Sequence, residues 1–208
     1  LARMPKRAYV AGETFRAKME IYHYGQYPLK RGKLKWELKD EQGTTITSGS
    51  ISTPAVPCAT LDSLGVITIP LQDITKAQKL TLHTTLDGKY HNEWDIWAYP
   101  EVQETASGDF VYARTYNAEV KQALAQGKNV LLVPEQLKGR KTKFASHFWN
   151  PIMFNWDPMI VGTLIDSDHP AFSNFPTDSY ADWQWWDILN YAAAMELDEL
   201  RNVTPVIQ

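Results

Sequence analysis

The sequence has little cysteine, no long apolar run and no excess of positive charge, and each absence excludes a class of protein. A single cysteine, Cys58, in 208 residues excludes an internal disulfide. No stretch approaches the ~20 apolar residues that a membrane-spanning helix needs. The formal charge of −3 argues against nucleic-acid binding, which needs clustered lysine and arginine. We therefore expect a globular chain with no membrane span and no nucleic-acid partner.

Motifs of independent catalysis are also missing. The sequence contains no G-x-S-x-G elbow, no G-x-G-x-x-G or phosphate-binding glycine loop, and no metal-ligand cluster of Cys and His. Cys58 lies in PAVPCATLDS without a predictable His partner, which indicates a structural cysteine. We expect no catalytic residue, no metal and no cofactor in this chain.

Three pairs of acidic residues have spacings that a glycosidase dyad can adopt. The pairs are Glu93 with Asp95, Asp166 with Asp168, and Asp178 with Asp182. Glycosidases place two carboxylates across the scissile bond and hold one of them protonated. Like charges two apart on a strand share one face, however, which usually means exposure to solvent. The pattern therefore favours solvated acidic residues.

The first hundred residues have the pattern of antiparallel β structure. Phe15, Ala17, Met19 and Ile21 alternate with charged residues, which is the period of a half-buried strand. Leu34, Trp36 and Leu38 repeat the alternation, and residues 40–43 (DEQG) then predict a hairpin turn. About seven short strands with turn signals between them are typical of an immunoglobulin-like sandwich.

The second half has the pattern of an α/β layer. Residues 117–126 (NAEVKQALAQ) show helical spacing, with Asn117 as an N-cap and Gly127 closing the helix. Residues 129–133 (NVLLV) follow as a continuous apolar run, which predicts a strand buried on both faces. The fold class expected is therefore two-part, with an all-β sandwich followed by a small α/β domain.

The change of pattern sets the expected domain limits. Residues 1–100 form the sandwich, residues 101–108 are a polar linker, and residues 109–208 form the α/β accessory domain. The chain begins without Met and stops inside an apolar stretch, VTPVIQ. Both ends indicate a fragment of a longer polypeptide, with the α/β domain truncated at its C-terminus.

Tryptophan is concentrated in residues 180–189 (YADWQWWDIL), which contain Trp183, Trp185 and Trp186. Such a group can stack on sugar rings, stack on nucleic-acid bases or fill the core of a helix. On a helix, Trp183 and Trp186 share one face and Trp185 lies on an adjoining apolar face. The periodicity favours a core helix, with Asp182 capping its start.

Residues 166–169 (DSDH) suggest either a metal or acid–base site or a simple turn. Histidine titrates near neutral pH and is a common ligand. A lone His169 before Pro170 more often forms a turn, with Asp168 bonding the local backbone. The turn is the favoured interpretation.

Several phrases taken together carry a family resemblance. They are HNEWDIWAYP at 91–100, GKNVLLVP at 127–134, FWNP at 148–151 and HPAFSNFPTDSYADWQWWDIL at 169–189. With these phrases the chain, from Arg7 to Gln208, resembles the C-terminal non-catalytic part of bacterial glycoside hydrolase family 2 enzymes, the β-galactosidase-like members of polysaccharide-degrading bacteria.

The resemblance implies a fragment without catalytic residues of its own. In such enzymes both catalytic Glu residues lie in an upstream (β/α)₈ barrel, so this fragment alone is not expected to be an enzyme, whereas the parent is a retaining glycoside hydrolase. The α/β part also resembles a degenerate amidotransferase-like or flavodoxin-like layer, without the nucleophilic cysteine that amidotransferases use. The resemblance further implies the barrel as a partner and a periplasmic or cell-surface location.

Three functions remain open from the sequence. The leading one is an accessory region that braces or extends the catalytic module. The second is an autonomous carbohydrate-binding module, and the third is a protein-interaction or oligomerisation domain with exposed aromatic residues. The carbohydrate-binding candidates are eight: Trp149, Trp156, Asp168, His169, Asn174, Trp183, Trp185 and Trp186.

Overall fold

The computed structural model describes residues 1–101, 110–135, 139–142, 144, 153, 162–195, 197 and 203–208. The structure is predominantly β, and its helical part is small. Contacts divide the chain into two compact units, each of which contains two stretches of sequence. The first unit consists of Leu1–Val102 and Asp166–Gln184, and the second of Gln103–Ile165 and Trp185–Gln208.

Two β-sheets form the framework of the first unit. Their strands are β1 (Ala2–Arg3), β2 (Ala8–Val10), β3 (Thr14–His23), β4 (Gly32–Lys39), β5 (Thr45–Thr53), β6 (Thr60–Pro70), β7 (Gln78–Leu86) and β8 (Tyr90–Tyr99). One sheet has the order β1-β3-β6 and the other the order β2-β8-β7-β4-β5. Neighbouring strands run antiparallel except β2 and β8, which are parallel.

The core of the first unit lies between these sheets. Phe15, Ala17 and Met19 of β3 are at most 2% exposed, whereas Arg16 and Lys18 between them are exposed, so the predicted alternation is confirmed. The same buried cluster contains residues of the five-stranded sheet: Leu34, Leu38, Leu80, Leu82, Leu86, Ile96 and Ala98. Burying a large apolar side chain stabilises the fold by about 1.5–3 kcal/mol, which makes this cluster its main support.

The hairpin between β4 and β5 forms where the sequence predicts it. Asp40 Oδ1 accepts hydrogen bonds from the backbone N–H groups of Gln42 and Thr44, at 3.0 and 2.8 Å. Gly43 has a φ of +79°, a conformation that costs glycine little because it has no Cβ. The turn is thus stabilised by an aspartate side chain that replaces missing backbone partners.

The second unit contains short elements. They are β9 (Phe110–Ala113), α1 (Ala118–Ala125), β10 (Asn129–Leu132), β11 (Gly139–Lys141), α2 (Trp186–Asn190) and β12 (Ala193–Met195). Strands β9 and β10 are parallel with α1 between them in sequence, and β11 and β12 are antiparallel. Asn117 caps α1 by accepting from Val120 N at 3.0 Å, and Gly127 follows the helix with a φ of +73°, so the predicted helix limits are confirmed.

The prediction for the apolar run NVLLV is only half right. Residues 129–132 form strand β10, but Leu131, Leu132 and Val133 are 49%, 37% and 46% exposed. The described part of this sheet has two strands and one eight-residue helix beside them, so too few elements are present to cover both faces. The α/β layer is therefore minimal in the residues that the structure describes.

The expected linker, residues 101–108, lies outside the described residues apart from Glu101. The division into 1–100 and 109–208 stays a prediction. One feature that this linear division does not include is the association of residues 166–184 with the first unit. We call these residues the returning segment.

Candidate functional site

The candidate site is built on the outer face of the five-stranded sheet, opposite the core. Ile96 and Ala98 of β8 point into the core, so the alternation of a strand places Asp95, Trp97 and Tyr99 on the outer face. Lys79 is the register partner of Trp97, and side chains paired across strands share a face. The outer face thus combines charged and aromatic side chains on two adjacent strands.

The returning segment is hydrogen-bonded to this face. The Tyr99 hydroxyl donates to Oε1 of Gln184 at 2.6 Å, and Nε2 of Gln184 donates to the carbonyl oxygen of Pro176 at 2.6 Å. Lys79 Nζ forms an ion pair with Asp178 at 3.0 Å. Gln184 therefore ties the segment both to β8 and to itself.

Aromatic contacts accompany these bonds. The ring centroids of Tyr99 and Phe175 are 6.1 Å apart, within the range of aromatic pairs. The Arg7 guanidinium lies 5.7 Å from the centre of the Trp183 ring and donates to the Asp95 carbonyl oxygen at 2.7 Å. Trp97 is 1% exposed although it points away from the core, which shows that its face of the sheet is covered.

Asp182 is the most perturbed acid of the site. Burial is the main cause that raises the pKa of Asp182 to about 6; the negative charges of Asp178 and Asp95 add to it, and the Gln184 N–H and Lys79 oppose it. The pKa of Tyr99 is raised to about 12 by burial and by the charge of Asp182.

Two buried polar atoms of this face have no hydrogen-bond partner among the described residues. They are Nε1 of Trp97 and Oδ2 of Asp182. Oδ1 of Asp182 accepts from Gln184 N at 3.2 Å, at the start of a 3₁₀ turn over residues 183–185. The predicted cap of a helix is not formed, because helix α2 begins only at Trp186 and has no side-chain cap. Because Oδ2 is buried without a donor, the ionised carboxylate is costly here, in agreement with the raised pKa.

This arrangement predicts a pH-dependent stability that an Asp182→Asn variant removes. The folded pKa of about 6 is above the ordinary value of 3.8. Between about pH 4 and 6 the unfolded chain has lost the proton and the folded chain keeps it, so stability falls as the pH rises. The variant should lack this slope, so that its stability relative to the parent chain rises by about 1–2 kcal/mol between pH 4 and pH 7, after allowance for solvent screening.

Urea denaturation of both proteins from pH 4 to 8 measures this effect. Glu13 and Glu20 do not obscure it. Lysine partners, joined by Arg3 at Glu20, hold the pKa of both carboxyls below the ordinary 4.5, so their contribution is lost only in stronger acid. A variant that is less stable than the parent chain at pH 7, with the same slope, would show that Asp182 acts in its charged form.

A cavity of about 230 Å³ adjoins the ion pair. Its walls are formed by seven residues: Glu41, Lys79, Ser167, Phe172, Pro176, Thr177 and Asp178. The volume is below the ~300–1,000 Å³ of typical ligand pockets. The cavity has room for several water molecules or one small polar group, and Lys79 and Asp178 already neutralise each other at its wall.

The predicted candidates on the returning segment are placed as follows. Asp168 and Asn174 are exposed, and the backbone of residues 166–169 forms a turn, closed by His169 N donating to Asp166 O at 3.0 Å. The turn prediction is confirmed, but the side chain that bonds the local backbone is His169, whose Nδ1 accepts from Ala171 N at 3.2 Å. None of these candidates lines the cavity.

The tryptophan trio is not a uniform core. Trp185 is 3% exposed, whereas Trp183 and Trp186 are 51% and 45% exposed, so the core prediction is wrong for these two. A 3₁₀ turn over residues 183–185 precedes the five-residue helix α2, and the helical period therefore does not extend through the trio. Trp183 belongs to the first unit and the other two to the second. Trp149 and Trp156 lie outside the described residues.

The predicted solvent exposure of the acidic pairs is found for some of their members and not for others. Glu93 is 68% exposed beside His83, as expected for a solvated acid. Asp95 instead accepts from the Thr81 hydroxyl at 2.7 Å, and Asp182 is largely buried. Within the described ranges, no group of three or more His, Cys, Asp or Glu residues is placed to hold a metal ion. The helices in those ranges are too short or too polar to cross a membrane.

Sequence reasoning missed the joint role of Lys79, Tyr99 and Gln184. A signal was present in β8, where Trp94, Ile96 and Ala98 form one face and Trp97 and Tyr99 the other. A strand that is apolar on both faces is covered on both faces. The apolar pattern of β8 indicates that another part of the chain packs on its outer face, but it does not indicate which segment does so.

Comparisons with known proteins give two family matches. Residues 13–100 match the model of a Domain of unknown function (DUF8488), and residues 111–208 match a second Domain of unknown function (DUF8487). Each match covers less than half of the chain. No curated protein matches the sequence.

Three solved structures illustrate the distant likenesses of the chain. A Pseudomonas fluorescens alkylpurine DNA glycosylase is 7% identical, with a TM-score of 0.37 over 48% of this chain and 29% of that chain. A β-glucuronidase from glycoside hydrolase family 2 is 10% identical, with a TM-score of 0.34 over 48% of this chain and 11% of that chain. A Parabacteroides merdae β-glucuronidase is 10% identical, with a TM-score of 0.30 over 47% of this chain and 13% of that chain.

The chain thus spans less than a third of the length of each of these three proteins. Scores of this size assign it to none of their families. Structures similar to the chain include glycoside hydrolases, at low identity and with partial coverage.

Proposed function

We propose that the chain is a non-catalytic accessory region of a glycoside hydrolase, of the β-galactosidase-like family 2 type, which braces or extends the catalytic barrel of its parent. The observation that carries this proposal is a hydrogen bond between two of the sequence stretches that show the family resemblance. Tyr99, from residues 91–100, donates to Gln184, from residues 169–189, across 85 positions of sequence. The most distinctive residues of the chain are used to attach one part of it to another.

The use of these side chains supports bracing over catalysis. Lys79 is paired with Asp178 and Tyr99 with Gln184, and Trp97 is 1% exposed. A catalytic acid and base need to reach a substrate within hydrogen-bonding distance. Asp182 has the raised pKa of an acid catalyst, but its free carboxylate oxygen is buried. A rigid, filled face suits a spacer between modules.

We further propose that the first unit has immunoglobulin-like topology. The order β1-β3-β6 corresponds to strands A, B and E of that fold, and β8-β7-β4-β5 corresponds to G, F, C and C′. The parallel pairing of β2 with β8 extends the second sheet at its edge. This sandwich is the module that the accessory proposal needs.

The remaining features of the proposal rest on the family resemblance. The parent is a retaining enzyme that acts on a β-linked glycoside in polysaccharide or oligosaccharide breakdown, in the periplasm or at the cell surface. The second unit is the remnant of an amidotransferase-like or flavodoxin-like layer without its chemistry. The partner of this chain is the catalytic barrel of the parent.

Hydrolysis assays test the accessory proposal. The purified chain should release no nitrophenol from nitrophenyl β-galactoside or β-glucuronide above a buffer blank. The natural full-length protein, which serves as the positive control, should do so. Deleting this region from the full-length protein should lower its melting temperature and leave KM for these small nitrophenyl glycosides unchanged, because a brace stabilises the enzyme without contacting the active site. Clear turnover by the purified chain would contradict the proposal.

A second function, autonomous carbohydrate binding through tryptophan, has one observation in its favour. Trp183 and Trp186 keep about half of their surfaces exposed. A sugar stacked on either ring should change tryptophan fluorescence, and a Trp183→Ala or Trp186→Ala variant should lose that change. Fluorescence that is unaffected by a panel of β-linked oligosaccharides would exclude this function for both rings.

A further inference from the structure

A group of exposed tyrosines lies at one end of the three-stranded sheet, on β3 and in the loop that follows it. Tyr22 is on β3 directly opposite Leu61 of β6, and Tyr24 and Tyr27 follow in the next loop. Their exposed fractions are 48%, 47%, 72% and 71% in that order. Single exposed apolar residues need no explanation, but a contiguous group often marks a binding surface. We call these four residues the tyrosine patch.

The loop that carries the patch is held in place by the buried residue His23. His23 is 7% exposed, and its Nε2 is 2.8 Å from the carbonyl oxygen of Tyr27. The backbone of Ala59 donates to His23 O at 2.7 Å. A Cβ at Gly25 would lie 2.5 Å from the His23 ring, so glycine is needed for this close approach. A ligand that binds here would lose little affinity to ordering of the loop.

The rings of Tyr22 and Tyr24 pack against each other and keep part of their surface in solvent. The centroids of Tyr22 and Tyr24 are 4.6 Å apart, and the ring planes make an angle of 56°. The solvent-exposed face of either ring can contact the C–H face of a pyranose. The phenolic hydroxyl groups at the ring tips can exchange hydrogen bonds with sugar hydroxyl groups.

Polar groups continue the same face of the sheet. Glu20, two residues before Tyr22, is 6% exposed and forms ion pairs with Arg3 and with Lys18, the latter at 2.8 Å. Both cations keep more than half of their side-chain surface in solvent. Ser63 is the register partner of Glu20. Aromatic faces beside fixed hydrogen-bond donors are the usual composition of a site for a polar ligand with apolar faces.

The size of the patch decides between a sugar and a protein partner. At ~150–250 Å² for each aromatic side chain, the three tyrosines expose roughly 300–500 Å². A stable protein interface buries about 800 Å² on each partner, with a packed apolar centre. The patch is too small for such an interface and sufficient for one to three sugar residues.

From these observations we infer that the tyrosine patch is a saccharide-binding site, with Tyr24 and Tyr27 as its main contacts. This inference rests on the proposed function in one respect, because an accessory region of a glycoside hydrolase is exposed to saccharide chains. The site uses none of the residues of the returning segment and none of the tryptophan candidates, and it holds the chain on its substrate without taking part in hydrolysis.

Binding measurements with defined tetrasaccharides test the inference. The probes are cellotetraose, xylotetraose, β-1,4-galactotetraose and tetragalacturonate, titrated into the chain and followed by NMR shifts of the tyrosine ring protons. At least one probe should bind, with a Kd on the order of 0.1–1 mM as expected for a shallow site. Tyr24→Ala with Tyr27→Ala should weaken that binding at least tenfold. Tetragalacturonate binding that Lys18→Ala also weakens would identify an acidic saccharide.

The matched control is Tyr116→Ala, since Tyr116 is 61% exposed in the second unit, outside the patch. It should leave binding unchanged, and circular dichroism should show all variants folded because the mutated rings are on the surface. Failure of all four probes to bind overturns the inference, as does binding that survives in the double variant. Self-association that the double variant abolishes would assign the patch to a protein contact. Hydrolysis by the chain would contradict only the accessory proposal.

Discussion

Replacing Trp97 with alanine is expected to lower the free energy of unfolding by about 3–5 kcal/mol, the range of large-to-small changes at buried tryptophan. Trp97 is 1% exposed but lies outside the main core cluster, on the outer face of the five-stranded sheet. The variant should therefore lose the packing of the covered outer face while the cluster between the sheets remains. Chemical denaturation measures the loss.

The matched control for this prediction is Trp183→Ala. Trp183 is on the returning segment itself but is 51% exposed, with the Arg7 guanidinium near its ring. Its replacement should cost about 1 kcal/mol, the size of a partly exposed cation–π contact. If Trp97→Ala costs no more than Trp183→Ala, the covered outer face contributes little to stability, contrary to what its burial implies.

Replacing Gln184 with alanine is the second large expected effect, about 2–3 kcal/mol. The change removes the acceptor of the Tyr99 hydroxyl and the donor to Pro176 O, both at 2.6 Å. Tyr99 is left with a partly buried hydroxyl that has lost its partner, and an unsatisfied buried group costs more than the bond itself. Limited proteolysis should then cut within residues 166–184 before it cuts the strands.

A double-mutant cycle with Tyr99→Phe separates the bond from general packing. Tyr99→Phe alone should cost about 1 kcal/mol, because it removes one hydrogen bond and leaves the ring in contact with Phe175. With Gln184→Ala already present, the same change should cost close to nothing, a coupling of about 0.5–1.5 kcal/mol. Strict additivity of the two changes would contradict the direct bond.

The elements that sequence alone predicted correctly are those determined by local physics. The alternation of Phe15 and Arg16 along β3 follows from the two faces of a strand, and the Asp40 turn from a side chain bonding its own backbone. The start of α1 at the Asn117 cap is local in the same way. Each of these elements depends on residues within about five positions of one another.

The candidate site was not predictable because it joins distant residues. Lys79 pairs with Asp178 across 99 positions and Tyr99 with Gln184 across 85. Sequence periodicity indicates that β8 is covered on both faces but contains no information on the covering segment. The helical period also misplaced Trp183 and Trp186, since a 3₁₀ turn changes the angle between successive side chains.

The tyrosine patch shows a related limit. Residues 22–27 (YHYGQY) are rich in tyrosine, but exposure cannot be read from composition, because tyrosine is buried about as often as it is exposed. The buried His23 between two exposed rings follows from strand alternation, whereas the contact between His23 and Gly25 depends on the loop geometry.

Amide hydrogen exchange of residues 166–184 tests the central claim, that this segment is a fixed part of the first unit and that the distinctive residues of the chain serve to hold it there. The account predicts that these amides, including those of Phe172 and Gln184, exchange slowly, on the timescale of β7 and β8. In Gln184→Ala, exchange should speed up in this segment and stay unchanged in β3 and β6. Rapid exchange of the segment in the unmodified chain, with β7 and β8 still protected, would contradict the account.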